Sequence, residues 1–430
     1  MRRVERRHAA ASAFAVVLVA AGIAAVVVIP TDQQLRQRTS AGFAERFGIN
    51  IAIESVRWQL LPAPAMVVRG ARTEQQVPIE VRQLAVYPDL GRSLRRWKFV
   101  VARLEVDGAV IPTASLAAFR GKQGHAAVDR NSAPVGQVRF RNVIWISRTG
   151  IPLPIEGDID FDPLWRPRTA QVRRSDFTPM AQLTVARDGA ADRWQARVML
   201  GGGTADGVLE LGTGKDGTLT LGGTLSPKMI EVASAAQALN RRSPVGGKAN
   251  GNTVVSAHGK TGGELGSSLR LLTGFKMAPA KVLRFDLNKA IRSAGKDHDG
   301  QTELQSLTGV MDMQNTRKGT VLHFSELEAH AGSFTATGEA TIFNRKIEGE
   351  GTLDIVEGVV GVPFTISGTT REPKVAVPPG AFAGAAVGTA VLPGIGTVLG
   401  ARIGGALGRL LGRKPEPPGT PPTKSSRSTP

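Results

Sequence analysis

The 430-residue chain has a formal net charge of +18 and contains 51 Gly, 26 Pro and no Cys. The absence of Cys excludes disulfide bonds, thiolate catalysis and Cys-based zinc sites. Aromatic residues make up only 5% of the chain. A nucleic-acid-binding protein would interleave aromatics with its basic clusters, so we expect the positive charge to attract anionic lipid headgroups instead. The many turn-forming residues predict a β-rich protein.

A basic leader and an uncharged apolar run open the chain. The run, Ala9 to Ile29, is 21 residues long, which matches the about 20 residues that a helix needs to cross a bilayer. Four arginines precede it and Asp32 is the first charge after it, so the positive-inside rule keeps the N-terminus in the cytoplasm and exports the bulk. We therefore predict a single-pass anchor over residues 1–30 in a bacterial inner membrane, with the remainder in the periplasm. The anchor residues include Phe14, Val16, Leu18, Ile23, Val27 and Ile29.

The alternative for this run is a cleaved signal peptide. Such leaders have apolar cores of about 7 to 15 residues that end in a small-x-small cleavage site. This run is longer, and its last residues, Val26 to Pro30, form a poor cleavage site. The sequence therefore favours an uncleaved anchor.

The segment after the anchor changes from a helical to a strand-like pattern. Residues 31–48 are predicted to form a juxtamembrane helix, because large apolar residues are spaced in multiples of four before Gly48. From Ile49 the apolar period becomes two, as in strands, and we expect residues 49–240 to form the first part of a β-sheet groove. Ser226 as an N-cap predicts a helix that ends near Asn240, and the Gly- and Asn-rich residues 241–280 are predicted to be linker-like.

Residues 281–378 have the clearest strand pattern. After a short helix capped by Asp286, five alternating runs joined by short turns predict an antiparallel meander. The runs are Leu304–Met313, Thr320–His330, Ser333–Phe343, Lys346–Ile355 and Val362–Gly368. One face of the meander is predicted to be apolar, so either the sheet curls on itself or something outside the chain fills it. The candidate groove-lining residues are Val321, Phe324, Leu327, Phe334 and Ala336.

Two stretches carry a resemblance to a known family. Residues 45–70 form a strand, a Trp-x-Leu-Leu-Pro-x-Pro turn and a second strand, and residues 285–290 with 304–375 match the closing strands. In these the chain resembles AsmA-like proteins, which have one N-terminal anchor and a long, curved β-sheet groove. That family is in turn similar to bridge-like lipid-transfer proteins, whose grooves shield acyl chains. The resemblance implies a mainly β fold: a long curved antiparallel sheet with a groove, and a few short helices.

The C-terminal apolar segment has a pattern of its own. Glycines recur every four residues from Gly396 to Gly412, which allows close helix approach in a membrane. We predict a glycine-spaced helical hairpin over residues 379–413, followed by a disordered tail over residues 414–430; the alternative is a Gly-rich flexible tail. The helix-packing candidates are Gly396, Gly400, Gly404 and Gly408, and the candidates for contact with headgroup phosphates are Arg402, Arg409 and Arg413.

Two polar clusters contain residue types that bind metals. His323, Glu326, Glu328 and His330 share one predicted strand, but on a regular strand His323 would face away from the other three, so they could not converge. Asp158, Asp160 and Asp162 alternate and would share one face, but the glycine turn and further ligands of a known calcium loop are missing. The sequence therefore predicts no metal, no cofactor and no catalytic residue.

These patterns together predict a non-enzymatic, inner-membrane-anchored periplasmic protein. Its groove would bind or conduct lipid, with phospholipid as the candidate, and would support outer-envelope homeostasis. The alternative is a structural or assembly factor that contacts outer-membrane proteins through the edge of its sheet or through its glycine-spaced tail. In that case the chain could also self-associate through the C-terminal segment. A hydrolase with a scattered site is a third, weaker hypothesis. No nucleic acid is expected as a partner.

The anchor assignment predicts the outcome of reporter fusions. A fusion after Thr31 should be active with an enzyme that works only in the periplasm and inactive with one that works only in the cytoplasm, because the arginine asymmetry fixes the orientation. A fusion within the first eight residues should behave in the opposite way. Cytoplasmic activity after Thr31 would contradict the anchor.

Overall fold

The structure, a computed structural model, describes residues 32–376 apart from 60, 97–99, 121–134, 163–165, 190, 261, 287–288, 290–298, 333 and 356–358. The predicted anchor over residues 1–30 and the C-terminal segments over 379–413 and 414–430 lie outside the described residues. The described helices are short: α1 (Asp32–Phe47), α2 (Leu90–Arg96), α3 (Val232–Ala238), α4 (Gly262–Ser267) and a 3-10 helix (Thr113–Arg120).

The rest of the described chain is dominated by one sheet of 21 strands. The first eleven are β1 (Ile51–Gln59), β2 (Ala65–Thr73), β3 (Glu80–Pro88), β4 (Val101–Pro112), β5 (Val135–Ile146), β6 (Pro152–Phe161), β7 (Pro167–Arg174), β8 (Ala181–Arg187), β9 (Arg193–Leu200), β10 (Gly203–Thr213) and β11 (Leu219–Lys228). The others are β12 (Ile230–Glu231), β13 (Val245–Gly259), β14 (Arg270–Leu283), β15 (Gln301–Leu304), β16 (Ser306–Thr316), β17 (Gly319–Ala331), β18 (Phe334–Phe343), β19 (Lys346–Ile355), β20 (Val359–Gly368) and β21 (Pro373–Ala376).

Strand order in the sheet follows the order in the chain. Each strand pairs with the next, except that the two short strands β12 and β15 lie beside β13 and β14, so that β11 pairs with β13 and β14 with β16. At about 4.8 Å between neighbours, the sheet measures roughly 85 Å along its curve. The predicted mainly β fold with a long, curved sheet is confirmed, and the structure shows that this sheet is open.

One pair of strands departs from the predicted antiparallel order. β4 and β5 are parallel, with Leu104 opposite Val138. A parallel pair needs a crossover of about a dozen residues or more, and the chain between Pro112 and Val135 supplies one that begins with the 3-10 helix. The sequence prediction of a wholly antiparallel sheet is wrong at this pair, because the crossover carries no strong helical signal.

The cross-strand register divides the sheet into two faces. Residues directly opposite one another point to the same side, and the register carries one apolar face from Ile51 and Ile53 in β1 to Val362 and Phe364 in β20. The sheet bends toward this face. A Cβ added there at Gly207 would collide with the carbonyl oxygen of Thr224, whereas one added at Gly222, on the other side, has no heavy atom within 4 Å. We call the two sides the concave and the convex face.

Helix α1 covers the concave face at its N-terminal end. The helix predicted over residues 31–48 is confirmed as α1, and Leu35, Phe43 and Phe47 are its buried side chains. They pack in one core with concave-face residues of the first strands, including Val56, Met66, Val68, Leu84, Leu104 and Val106. Packing of this stripe stabilises the helix more than intrinsic propensity does.

A second apolar core lies in the C-terminal half. Its buried members include Met277, Leu307, Phe334, Leu353 and Val362, which belong to strands from β14 to β20. All of them lie on the concave face, so the sheet here curls until its own concave face is partly covered. Val232 of α3 adds to this cluster, and the five-run meander predicted over residues 304–368 is confirmed as β16 to β20.

Two secondary-structure predictions are wrong. The helix expected from Ser226 is shorter, because residues 226–228 continue β11 and pair with β10, and Glu231 caps α3 through its carboxylate. Pro227 is tolerated because it lies beyond the last residue of β11 that pairs with β13. The linker-like segment 241–280 contains β13 and most of β14, two of the longest strands. Gly251 in this segment allows a close backbone approach on the concave face, because a Cβ there would collide with the carbonyl oxygen of Gly274.

The predicted helix that follows Asp286 is only partly described. The Asp286 carboxylate accepts a hydrogen bond from the Lys289 amide at 3.0 Å, which is the geometry of an N-cap. Most of the residues from Leu287 to Ala294 lie outside the described residues.

Two buried threonines give opposite predictions for stability. The Thr39 hydroxyl in α1 is buried without a hydrogen-bond partner among the described residues, whereas the Thr73 hydroxyl accepts from the Ile79 amide at 2.8 Å. Thr39→Val should therefore raise the free energy of unfolding by about 1 kcal/mol, and Thr73→Val should lower it by about 1 to 3 kcal/mol. Urea denaturation of the detergent-solubilised protein, followed by tryptophan fluorescence, measures both, and equal effects would contradict the packing of α1.

Candidate functional site

The middle of the concave face exposes large apolar side chains. Between β8 and β18 neither α1 nor the second core covers them fully, and they remain partly accessible to solvent. They include Leu183, Leu209, Leu211, Leu221, Leu225, Leu271, Met311, Met313, Leu322, Phe324 and Ile342. Contiguous apolar surface of this kind on a folded domain marks an interaction site.

Four of the five predicted groove-lining residues share this face. Phe324 lies opposite Ala340, Leu327 opposite Gly338, and Ala336 opposite Leu353, while Phe334 is fully buried in the second core. Phe275 and Phe324 meet edge to face with ring centroids 6.4 Å apart. Whether these residues contact lipid stays a prediction.

The fifth, Val321, lies on the convex face. A β-bulge at Glu326, whose φ is +52°, interrupts the alternation of β17. The bulge places Leu327 on the same side as Phe324, three residues earlier. Val321 precedes the bulge, and regular alternation between Val321 and Phe324 places it opposite Phe343 on the convex side. Leu322, which pairs with Ile342, takes the place that the sequence had assigned to Val321. A single inserted residue reverses the side-chain order of a strand.

The same bulge changes the histidine cluster. His323, Glu328 and His330 all point to the convex side, contrary to the expectation that His323 faces away from the other two. They bond to different neighbours: His323 to Thr341 at 3.0 Å, and His330 to Glu328 at 3.0 Å. Among the described residues, no three His, Asp or Glu side chains are grouped so that they could hold a metal ion.

The convex face is mainly polar and crossed by ion pairs, apart from buried apolar residues such as Val67 and Leu272. Arg139 pairs with Asp158 at 3.1 Å, Arg173 with Glu156, and Arg270 with Asp312. The hydrogen bonds that Arg270 donates to the Asp312 carboxylate raise the pKa of Arg270. Further pairs include Arg72–Glu80, Arg193–Glu210, Arg197–Asp206 and Lys281–Glu303. Each exposed pair contributes little to stability, but together they show that this side of the sheet faces water.

The three alternating aspartates do not form one cluster. Asp158 and Asp160 lie on the convex face, where Asp160 accepts a hydrogen bond from Thr169 at 2.8 Å. Asp162 follows a register shift at the end of β6 and bonds instead to Arg166 and Arg187. The expectation that all three share a face is therefore wrong.

Two arginines interrupt the concave face, and both are neutralised. Arg187, 5% exposed, pairs with Asp162 and Asp192, each at 2.8 Å, and lies over the Trp194 ring. Arg174 pairs with Asp176 and donates to the carbonyl oxygen of Ala238 at the end of α3. Hydrogen bonds from Arg174 lower the pKa of Asp176. The contacts of Arg174 hold the end of α3, and those of Arg187 hold one margin of the sheet. The solvent-accessible apolar strip between these two arginines carries no charge.

Comparison with known proteins finds one match, to the C-terminal segment. A family model described as "Glycine zipper" (Gly-zipper_Omp) matches residues 379–417. The match covers the predicted glycine-spaced segment over 379–413, which includes Gly396, Gly400, Gly404 and Gly408, and shows its similarity to envelope-type glycine zippers. No curated protein and no solved structure matches the chain, and no AsmA-like family model matches either. None of the helices among the described residues is long and apolar enough to cross a membrane.

The face assignment in β17 gives a direct test. Leu322→Glu should reduce the fluorescence of a bound apolar dye such as anilinonaphthalene sulfonate, because it places an unpaired charge in the apolar strip, at a cost of several kcal/mol when desolvated. Val321→Glu adds the same charge on the convex face and should leave the fluorescence unchanged. Equal losses in the two variants would contradict the register around the Glu326 bulge.

Proposed function

We propose that this chain is a non-enzymatic envelope protein that binds the acyl chains of lipids along its concave face. The partner would be a membrane lipid, with phospholipid as the candidate. The role would be lipid binding or transport in support of the outer envelope.

One observation carries the proposal: a single apolar face continues through hydrogen-bonded strands from β1 to β20 while the opposite face is charged. Exposed apolar surface costs about 25 cal/mol per Å², so a few hundred Å² left bare in water costs several kcal/mol. Acyl chains are uniform, linear and apolar, and they can cover such a strip without specific polar contacts. The convex ion pairs leave that side in water.

Placement in the envelope rests on the two ends of the chain. The predicted anchor would hold the sheet at the inner membrane in the periplasm, and the glycine zipper at 379–417 is of an envelope type. The AsmA-like resemblance of residues 45–70 and 285–375 agrees with a groove-forming sheet behind a single anchor. Arg402, Arg409 and Arg413 within the zipper segment remain proposed contacts for lipid phosphates.

A binding role is favoured over catalysis by the chemistry of the face. Among the strand residues that the structure describes, the ionised side chains on the concave face are Arg174 and Arg187, and both are held by carboxylates. They are oriented to fasten loops rather than to act on a bound molecule.

The glycine zipper favours a second candidate function. Small residues at four-residue spacing allow helices to associate closely in a membrane. The chain would then act as an assembly factor that engages outer-membrane components, or other copies of itself, through residues 379–417. In that case the concave face would meet protein rather than lipid.

Photo-crosslinking in cells separates the two candidates. A benzophenone amino acid placed at Leu209, on the concave face, should yield lipid adducts that mass spectrometry detects. The same amino acid at the adjacent Val208, on the convex face, should yield none. The pair is matched because the two positions share one strand and differ only in the side they face.

The pattern of adducts decides between the functions. Lipid adducts confined to Leu209 support the groove. Protein adducts at Leu209 with no lipid would contradict it and favour the assembly factor, and equal lipid labelling at both positions would show that the probe reports membrane proximity rather than a binding face.

A further inference from the structure

Three turns from distant parts of the sheet meet at one place. The β5–β6 turn reaches the β16–β17 turn, where Arg148 Nη1 donates to the carbonyl oxygen of Thr316 at 2.6 Å. A Cβ placed on Gly319 would lie 2.9 Å from Thr149 and 3.5 Å from the ring of Phe343. The β18–β19 turn, which follows Phe343, is therefore adjacent. We call this meeting point of the three turns the turn junction.

The end of α3 is tied to the turn junction. Asn240 Nδ2 donates to the carbonyl oxygen of Pro152, the first residue of β6, at 2.6 Å. Arg241 follows, and its amide donates to the Ala236 carbonyl at 2.8 Å, which fixes the chain as it leaves the helix. Because Val232 at the start of α3 packs into the concave-face core, the junction lies at the margin of the groove.

The junction gathers cations without a neutralising carboxylate. Burial lowers the pKa of Arg241, and the positive charge of Arg345 in the β18–β19 turn lowers it further. Arg241 is half-buried and Arg345 is exposed in the β18–β19 turn, and no ion pair joins either of them or Arg148 to a carboxylate among the described residues. Arg174 and Arg187 show the contrast, since each has an aspartate partner. A half-buried cation beside another cation is unfavourable until an anion joins them.

We propose that Arg241 and Arg345, with Arg148, form a binding site for the oxyanion of a phosphate ester at the margin of the groove. Guanidinium groups present paired N–H donors that match phosphate oxygens, and such charge-assisted bonds are among the stronger ones. The phosphate would belong to the headgroup of an amphiphile whose acyl chains lie on the concave face. Only that placement of the acyl chains rests on the proposed function.

Binding of two fluorescent lipids to the full-length, detergent-solubilised protein tests the site. One probe is phosphatidylglycerol and the other is diacylglycerol with the same acyl chains and the same fluorophore. The wild type should bind phosphatidylglycerol at least about tenfold more tightly, or about 1.4 kcal/mol. The Arg241→Gln/Arg345→Gln variant should lose this preference and keep its affinity for diacylglycerol.

The matched control removes two cations elsewhere. Arg69→Gln/Lys276→Gln changes the net charge equally at two exposed positions of the convex face, and it should keep the preference for phosphatidylglycerol. If the Arg241→Gln/Arg345→Gln variant also lost its affinity for diacylglycerol, the Arg241→Lys/Arg345→Lys variant would show whether the two arginines act on the ligand or only on the structure. If the Lys variant keeps its affinity for both phosphatidylglycerol and diacylglycerol, the oxyanion site is supported. If the Lys variant loses both affinities, the two arginines have a purely structural role and the proposed site is overturned.

Inorganic phosphate identifies the source of the oxyanion. Titration calorimetry that shows phosphate binding to the wild type and not to the Gln variant, without any preference between the two lipids, supports the oxyanion site with free phosphate as its ligand. Equal affinity for the two lipids together with no phosphate binding overturns the site. In that case the affinity for diacylglycerol still reports on the groove, so the two proposals fail separately.

Discussion

The architecture depends on the cross-strand register that keeps apolar side chains on one side of the sheet from β1 to β20. Residues directly opposite each other on neighbouring strands point to the same side of the sheet. The apolar positions of one strand therefore lie beside the apolar positions of the next. The apolar side chains stay on one face through the parallel pair β4–β5 and through the register shifts in β13, β16 and β17. The result is one apolar face whose curvature is permitted by glycines such as Gly207, where a side chain would meet the neighbouring backbone.

The concave face is covered by other parts of the chain to different extents along the sheet, and the least covered part is the candidate site. At the N-terminal end α1 packs over the concave face, and in the C-terminal half the curled sheet covers part of that face itself. Between them the strip is open, with side chains such as Leu221 and Met311 partly accessible to solvent. An apolar ligand in this gap would continue the core that the two ends already form.

Local periodicity was sufficient to predict α1, the alternating strands and the closing meander. It failed where long-range geometry decides. The Gly-rich residues 241–280 look like a linker, yet Gly251 there makes a close strand contact on the concave side. The Glu326 bulge brings Leu327 to the side of Phe324, whereas regular alternation leaves Val321 on the convex face. The turn junction could not be predicted at all, because Arg148, Arg241 and Arg345 lie far apart in the sequence and meet only through the curl.

The central claim is that lipid covers one side of the sheet, and the absence of cysteine in the natural chain allows a clean measurement. Single cysteines at Leu221 and Leu225 on the concave face, and at Thr220 and Thr224 on the convex face, can be labelled with a water-soluble maleimide before and after lipid extraction. The account predicts that the first two react only after extraction, whereas the other two react in both states. Labelling that does not alternate along β11, or that is unchanged by extraction, would contradict it.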